Sequence, residues 1–137
     1  MGYKSFTILL LEAFMREKRI HDRVPYRVDV ECIHYYKPDG SESKFSHPVH
    51  MDVFDLSLGG IGIITKTQID PGTVLVFTLY LENIPYTVMA LVRWHHGSNF
   101  MNRYGLEFIG PSNMMFRHLK SLTHGESLFQ HVEIKKG

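Results

Sequence analysis

The sequence of 137 residues has few of the features that mark secreted, membrane-spanning or nucleic-acid-binding proteins. It contains one cysteine, Cys32, so no disulfide can form within the chain, which favours a reducing compartment. The longest apolar run near the N-terminus, residues 8–11, is too short to span a bilayer. The net charge of +1 gives no overall field that would attract nucleic acid. We therefore expect a cytoplasmic protein without membrane insertion and without a nucleic-acid partner.

Patterns that carry catalysis or bind metals are also missing. Cys32 falls in a strand pattern, where a cysteine belongs to the core more often than it acts as a nucleophile. The chain has nine histidines, but no set of histidines and cysteines has zinc-site spacing, and no His-Glu-x-x-His is present. We therefore predict that the protein is not an enzyme, that it has no metal site and that it uses no cofactor.

Short segments of alternating apolar and polar residues fill the middle of the chain. The first runs from Val24 to Cys32, where valine, tyrosine and cysteine alternate with charged residues. Further strands are predicted at residues 49–54, 61–65, 74–81, 86–94 and 104–109, with a loop at 55–60 and a hairpin around Asn83. Six strands joined by short turns, without helices between them, favour a mainly β protein built as a small antiparallel β-barrel.

Helical patterns flank the predicted barrel on both sides. Apolar residues at three- and four-residue spacing predict a short N-terminal helix over residues 5–18, which ends before Pro25. After Pro111, Ser112 is a suitable N-cap, and a second apolar stripe ends near Gly125. The members of that stripe are Met115, Phe116, Leu119 and Leu122. The predicted organisation is an N-terminal arm (1–15), a barrel with its helix (16–125) and a tail (126–137), and the arm docks on the barrel or on a partner.

Two short polar motifs lie next to predicted strands, Arg19-x-x-x-Arg23 before the first strand and Asp55-x-Ser57-x-x-Gly60 after the second. An arginine fork fits a phosphate or the O6/N7 edge of guanine. Aspartate accepts from guanine N–H groups, a serine hydroxyl donates or accepts, and glycine lets the backbone approach a ligand. The ordinary structural interpretation is a charged surface for the arginines and a tight turn for the second motif. The two interpretations are compatible, because a rigid turn is a good platform for a ligand.

The position of the motifs allows them to form one site. Their loops meet at the same mouth of an antiparallel barrel if the first strand begins where the second ends. Between Arg16 and Arg27 the chain carries five basic residues against two acidic ones. A locally basic segment on a nearly neutral chain indicates a small anionic ligand more than a long polyanion.

In this combination of motifs the chain resembles the PilZ domain family, bacterial receptors for cyclic di-GMP. The resemblance extends over residues 16–123 and includes a final hairpin. That hairpin is marked by Val92-Arg93-Trp94 and Gly105-Leu106-Glu107-Phe108. The connection between the two motifs is long for the family, and we expect residues 37–47 to absorb the extra length as a hairpin loop.

The resemblance implies a ligand, cyclic di-GMP, and a role for individual residues. By this analogy Arg19 and Arg23 clamp guanine edges and phosphates, Asp55 accepts from guanine, and Ser57 and Gly60 shape the loop and contact the ligand. Two further residues are weaker candidates. Arg16 would add a phosphate contact, and Trp94 is either a stacking wall for a base or an aromatic residue of the barrel core.

The function implied is that of a cyclic di-GMP receptor that changes the position of its N-terminal segment on binding and signals to an unidentified effector protein. The alternative is a PilZ-like protein-interaction module that does not bind nucleotide. A barrel for single-stranded nucleic acid is a third option, which would require a basic groove with several stacking aromatics. For oligomeric state, we expect a monomer or a weak homodimer.

Overall fold

The computed structural model describes residues 23–97 and 100–124, which form a closed antiparallel β-barrel followed by a helix. The elements are β1 (Val24–Tyr36), β2 (Glu42–Leu56), β3 (Gly60–Thr65), β4 (Val74–Leu81), β5 (Ile84–Gly97), β6 (Asn102–Phe108) and α1 (Asn113–Thr123). Around the barrel the strand order is β1-β2-β3-β6-β5-β4, and β4 pairs with β1 to close it. The predicted mainly β fold, with six strands and a C-terminal helix, is confirmed. The predicted N-terminal helix, the arm and the tail lie outside the described residues.

Period-two alternation builds the barrel core. In β4, Leu75, Phe77, Leu79 and Leu81 are buried. The side chains between them point away from the core, as expected for a strand with one face on the core. Full burial of one such apolar side chain contributes roughly 1.5–3 kcal/mol. The core therefore holds the strands in one register, and that register sets the position of every outward-facing residue.

The beginning of β1 and the end of β2 lie side by side at one mouth of the barrel. Val24 pairs with Leu56, and Pro25 pairs with Asp55. At the same mouth, Ile61 near the beginning of β3 also pairs with Leu56. The condition for the two sequence motifs to meet is therefore fulfilled by the topology.

The hairpin between β1 and β2 is longer than the sequence predicts. Residues 37–47 were expected to form a loop, but β2 begins at Glu42 and only a short turn remains. Gly40 allows this turn because its φ is +90°, a conformation that other residues rarely adopt. Tyr35 and Phe45 pack across the two strands with ring centroids 4.4 Å apart. Aromatic pairs of this kind stabilise strand pairing, so the alternation continues where composition had indicated a loop.

Helix α1 begins at the predicted cap. The Ser112 hydroxyl accepts a hydrogen bond from the Met115 N–H at 3.1 Å. Met115 and Leu119 are buried as predicted, but Phe116 is exposed. His118 and Thr123 are buried although the predicted stripe does not include them, so the buried face of the helix differs from that stripe at several positions.

A fully buried histidine supplies a polar contact between α1 and the barrel. The two ring nitrogens of His118 lie 2.7 Å from the Tyr86 hydroxyl and 2.8 Å from a carboxylate oxygen of Glu82. Glu82 lies in the turn between β4 and β5, and its backbone N–H donates to the Tyr26 hydroxyl at 2.9 Å. Because both ring nitrogens have partners, burial of His118 leaves no polar group unsatisfied. The turn thus links α1 to the beginning of β1.

Within the described residues, no helix has the length and apolar composition to cross a membrane.

Burial of Cys32 makes the stability of the fold depend on pH in the alkaline range. Its thiol is buried and lies 3.4 Å from the Val76 carbonyl, and burial raises its pKa to about 11. In the unfolded chain a thiol ionises near pH 9, so between these values the unfolded state binds fewer protons than the folded state. Cys32 therefore makes stability fall as pH rises through this window.

We expect the urea midpoint of the wild type to fall more between pH 8 and pH 10.5 than that of Cys32→Ala. The comparison removes the contribution of other groups that titrate in this range. An equal fall in both proteins would contradict the assignment to Cys32.

Candidate functional site

The two sequence motifs meet in an ion pair at the barrel mouth. Nη1 of Arg23 lies 2.8 Å from Oδ1 of Asp55, and the two side chains are 34% and 22% exposed. A pair this accessible to water contributes no more than about 1 kcal/mol. A ligand can therefore displace or share either partner at low cost. Of the other arginines predicted to bind ligand, Arg19 and Arg16 lie outside the described residues.

Asp55 is a strand residue, and the prediction that places it in a loop is wrong. Val53 pairs with Ile63 and Asp55 pairs with Gly62, so Phe54 is an extra residue that forms a β-bulge in β2. The bulge directs both Phe54 and Asp55 over Gly62. A Cβ on Gly62 would lie 2.5 Å from Cζ of Phe54 and 2.6 Å from Oδ1 of Asp55. Only glycine leaves room for both side chains at this position.

Ser57 and Gly60 shape the turn between β2 and β3. The Ser57 hydroxyl is buried and accepts hydrogen bonds from the N–H groups of Gly59 and Gly60, each at 3.2 Å. The Ser57 N–H donates to the Gly60 carbonyl at 2.8 Å. A Cβ on Gly60 would collide with the backbone carbonyl of Leu106 in β6. Through these contacts the two residues stabilise the turn. Their contact with a ligand stays a prediction.

A row of paired residues crosses four strands on the outside of the barrel. Asp55 pairs with Gly62, Gly62 with Gly105, and Gly105 with Trp94. Directly paired residues point to the same side of a sheet. We call Gly62 and Gly105 the glycine floor, because they carry no side chains of their own and let neighbouring side chains lie directly on the backbone.

Trp94 lies on the glycine floor and outside the core. It is 42% exposed, and a Cβ on Gly105 would collide with its indole ring. The alternative that Trp94 is an aromatic residue of the barrel core is therefore wrong. An exposed indole fixed in this way can stack on a nucleobase.

Arg103 is a cation beside this floor that the sequence motifs do not include. It lies two residues before Gly105 in β6, so the two residues point to the same side. Its guanidinium carbon is 4.6 Å from the ring centroid of Phe54. The period of two in β6 is the signal that could have identified Arg103.

Three side chains elsewhere on the outer surface have the chemistry to bind a metal ion. Donor atoms of Asp29, His50 and Asp52 lie within 4.8 Å of one another, and Nε2 of His50 is 3.2 Å from Oδ1 of Asp52. The pKa of Asp29 is raised, chiefly by the neighbouring carboxyl group of Asp52. Exposed acidic groups of this kind are common without an ion. The prediction of no metal site stays a prediction.

Comparison with known proteins relates the fold to one family. A family model described as the PilZ domain matches residues 17–125. A crystal structure of YcgR from Escherichia coli in complex with c-di-GMP is 17% identical, with a TM-score of 0.56, and the match covers 85% of this chain and 48% of that one. This chain therefore spans about half the length of that protein. No curated protein matched the sequence.

Two isolated PilZ domains are also similar in structure. The PilZ domain of CeSA from a cellulose-synthesizing bacterium is 20% identical, covers 75% of this chain and 95% of its own, and has a TM-score of 0.47. The PilZ domain of YcgR from Escherichia coli with c-di-GMP is 16% identical, covers 80% and 95%, and has a TM-score of 0.46.

Proposed function

Because the chain belongs to the PilZ domain family, we propose that it is a receptor for cyclic di-GMP. The observation that carries this proposal is the Arg23–Asp55 ion pair at the edge of the glycine floor. It combines a fork of donors and a carboxylate acceptor with the exposed Trp94 indole on the glycine floor. Guanine and phosphate together can use all three features.

Each predicted residue has a specific task in this proposal. Arg23 donates to a guanine edge or a phosphate, and Asp55 accepts from guanine N–H groups. Arg19 supplies the second fork, and Arg16 adds a phosphate contact. Trp94 stacks on a base from its position on Gly105.

We propose that the site holds the nucleotide without turning it over, and that it needs no cofactor. The Ser57 hydroxyl is engaged within its own turn, and the Asp55 carboxylate accepts from Arg23. Both groups are therefore used for shape and recognition. A receptor of this kind transmits its signal through the position of the chain segment that the bound ligand holds in place.

The signal proposed is a change in the position of the N-terminal segment. Arg19 and Arg23 connect that segment to β1, so a dianionic ligand bound by both would hold it against the barrel. A surface created or exposed in this way would recruit an effector protein in the cytoplasm. Hydrogen exchange of residues 1–23 at saturating cyclic di-GMP tests the idea, and unchanged exchange there would refute it.

We expect isothermal titration calorimetry to detect saturable binding of cyclic di-GMP and binding of cyclic di-AMP at least tenfold weaker. Adenine presents an N–H donor where guanine presents O6, so an arginine fork cannot pair with its edge. One bidentate arginine–guanine contact is worth roughly 1–3 kcal/mol of discrimination.

Sedimentation with and without nucleotide would test for a monomer or a weak homodimer. If cyclic di-GMP produces no heat of binding and no protection from hydrogen exchange, a protein-interaction module that does not bind nucleotide becomes the better description.

A further inference from the structure

Among the described residues, the Arg23–Asp55 ion pair gives the site no net positive charge. The two side chains of the pair cancel each other, while cyclic di-GMP carries a negative charge on each of its phosphates. Arg93, on β5 next to Trp94, is also paired, since its Nε lies 3.3 Å from a carboxylate oxygen of Glu107. Among the described residues, a cation without a carboxylate partner would add to the phosphate contacts proposed for Arg19 and Arg16.

Arg103 supplies a cation of this kind. Within residues 23–97 and 100–124 it makes no ion pair and no side-chain hydrogen bond, and it is exposed. Its charge therefore has no carboxylate partner in the part of the chain that the structure describes. Because Arg103 and Gly105 point to the same side of β6, this charge lies beside the glycine floor.

The contact with Phe54 leaves the donor groups of Arg103 free to bind an anion. A guanidinium that lies over an aromatic ring uses its flat face, and the N–H groups along its edge stay available as donors. The Phe54 ring itself is directed over Gly62 by the bulge in β2, beside Oδ1 of Asp55. Arg103, Phe54 and Asp55 therefore converge on one part of the floor.

On the basis of the function proposed above, we propose that Arg103 is a phosphate-binding residue of the cyclic di-GMP site, held in position by Phe54. Its guanidinium edge donates to a phosphate oxygen of the nucleotide, while Arg23 and Asp55 recognise guanine. Gly62 has a part in this arrangement, because a side chain there would displace both the Phe54 ring and the Asp55 carboxylate.

Calorimetry with cyclic di-GMP on the full chain tests this assignment at two ionic strengths. Arg103→Gln keeps much of the side chain but removes the charge, and we expect its Kd to rise tenfold or more at low salt. Phe54→Leu keeps the charge and removes the ring, so the rise should be smaller. The control Arg117→Gln removes an exposed arginine of α1 and should leave Kd unchanged. Thermal melting of each variant confirms that it is folded.

Salt dependence separates a phosphate contact from a packing role. Wild-type affinity should fall with added salt more steeply than that of Arg103→Gln, because one charge–charge contact is missing in the variant. Arg103→Lys should recover part of the affinity. If Arg103→Gln has the Kd and the salt dependence of the wild type, the assignment of Arg103 is overturned. The proposed site itself is tested separately by Arg23→Ala. Weaker binding with unchanged salt dependence would also overturn it, and absence of binding by the wild type would overturn the proposed function as well.

Discussion

Replacing Arg23 with alanine is expected to weaken cyclic di-GMP binding by about a hundredfold while leaving the fold intact. A charge-assisted hydrogen bond contributes roughly 1.5–3 kcal/mol, and each 1.4 kcal/mol is a factor of ten in Kd. The variant also leaves the Asp55 carboxylate without its partner, close to an anionic ligand. Since the Arg23–Asp55 pair is half-exposed, its loss should lower the free energy of unfolding by no more than about 1 kcal/mol.

Arg27→Ala is the matched control for this experiment. Arg27 is an exposed arginine near the beginning of the same strand, and no ion pair of its side chain is found within the described residues. We expect its removal to change Kd by less than about threefold, the range of a distant surface charge. Titration calorimetry on both variants gives the comparison. Wild-type affinity in Arg23→Ala would refute the site assignment even with the family membership unchanged.

Gly60→Ala is expected to destabilise the barrel by roughly 3 kcal/mol, at the upper end of the cost of overpacking. The added Cβ would collide with the Leu106 carbonyl, which is backbone and cannot turn aside. The collision would push β3 away from β6, where Gly60 pairs with Glu107. For a domain of this size the melting temperature should fall by more than about 10 °C.

Gly59→Ala provides the comparison for Gly60. A Cβ on Gly59 meets nothing within 4 Å, so we expect a change in stability below about 1 kcal/mol. Thermal unfolding followed by circular dichroism measures both variants. A Gly60→Ala protein that melts like the wild type but no longer binds cyclic di-GMP would identify Gly60 as a ligand contact rather than a packing residue.

The sequence predicted the features of the fold that depend on local pattern. Alternation from Val24 to Cys32 predicted a strand, and Ser112 before an apolar stripe predicted the beginning of a helix. The order of elements also predicted that the motifs of Arg23 and Asp55 can share one mouth of the barrel. These features depend on neighbours along the chain, and the structure confirms them.

The features that the sequence did not predict depend on contacts between distant segments. His118 is buried because Tyr86 and Glu82 satisfy both its ring nitrogens, and nothing near it in sequence signals this. The bulge at Phe54 exists only relative to the register of β3. The ligand contacts predicted for Arg19 and Ser57 stay predictions.

The position of Trp94 has a practical consequence, because it is the only tryptophan of the chain. Its indole lies on Gly105 at the edge of the proposed site and is partly exposed. Intrinsic fluorescence excited at the red edge of the protein absorption band therefore reports on this one place. A base that stacks on the indole would quench the emission and shift its wavelength, so the unlabelled protein carries its own optical sensor of occupancy.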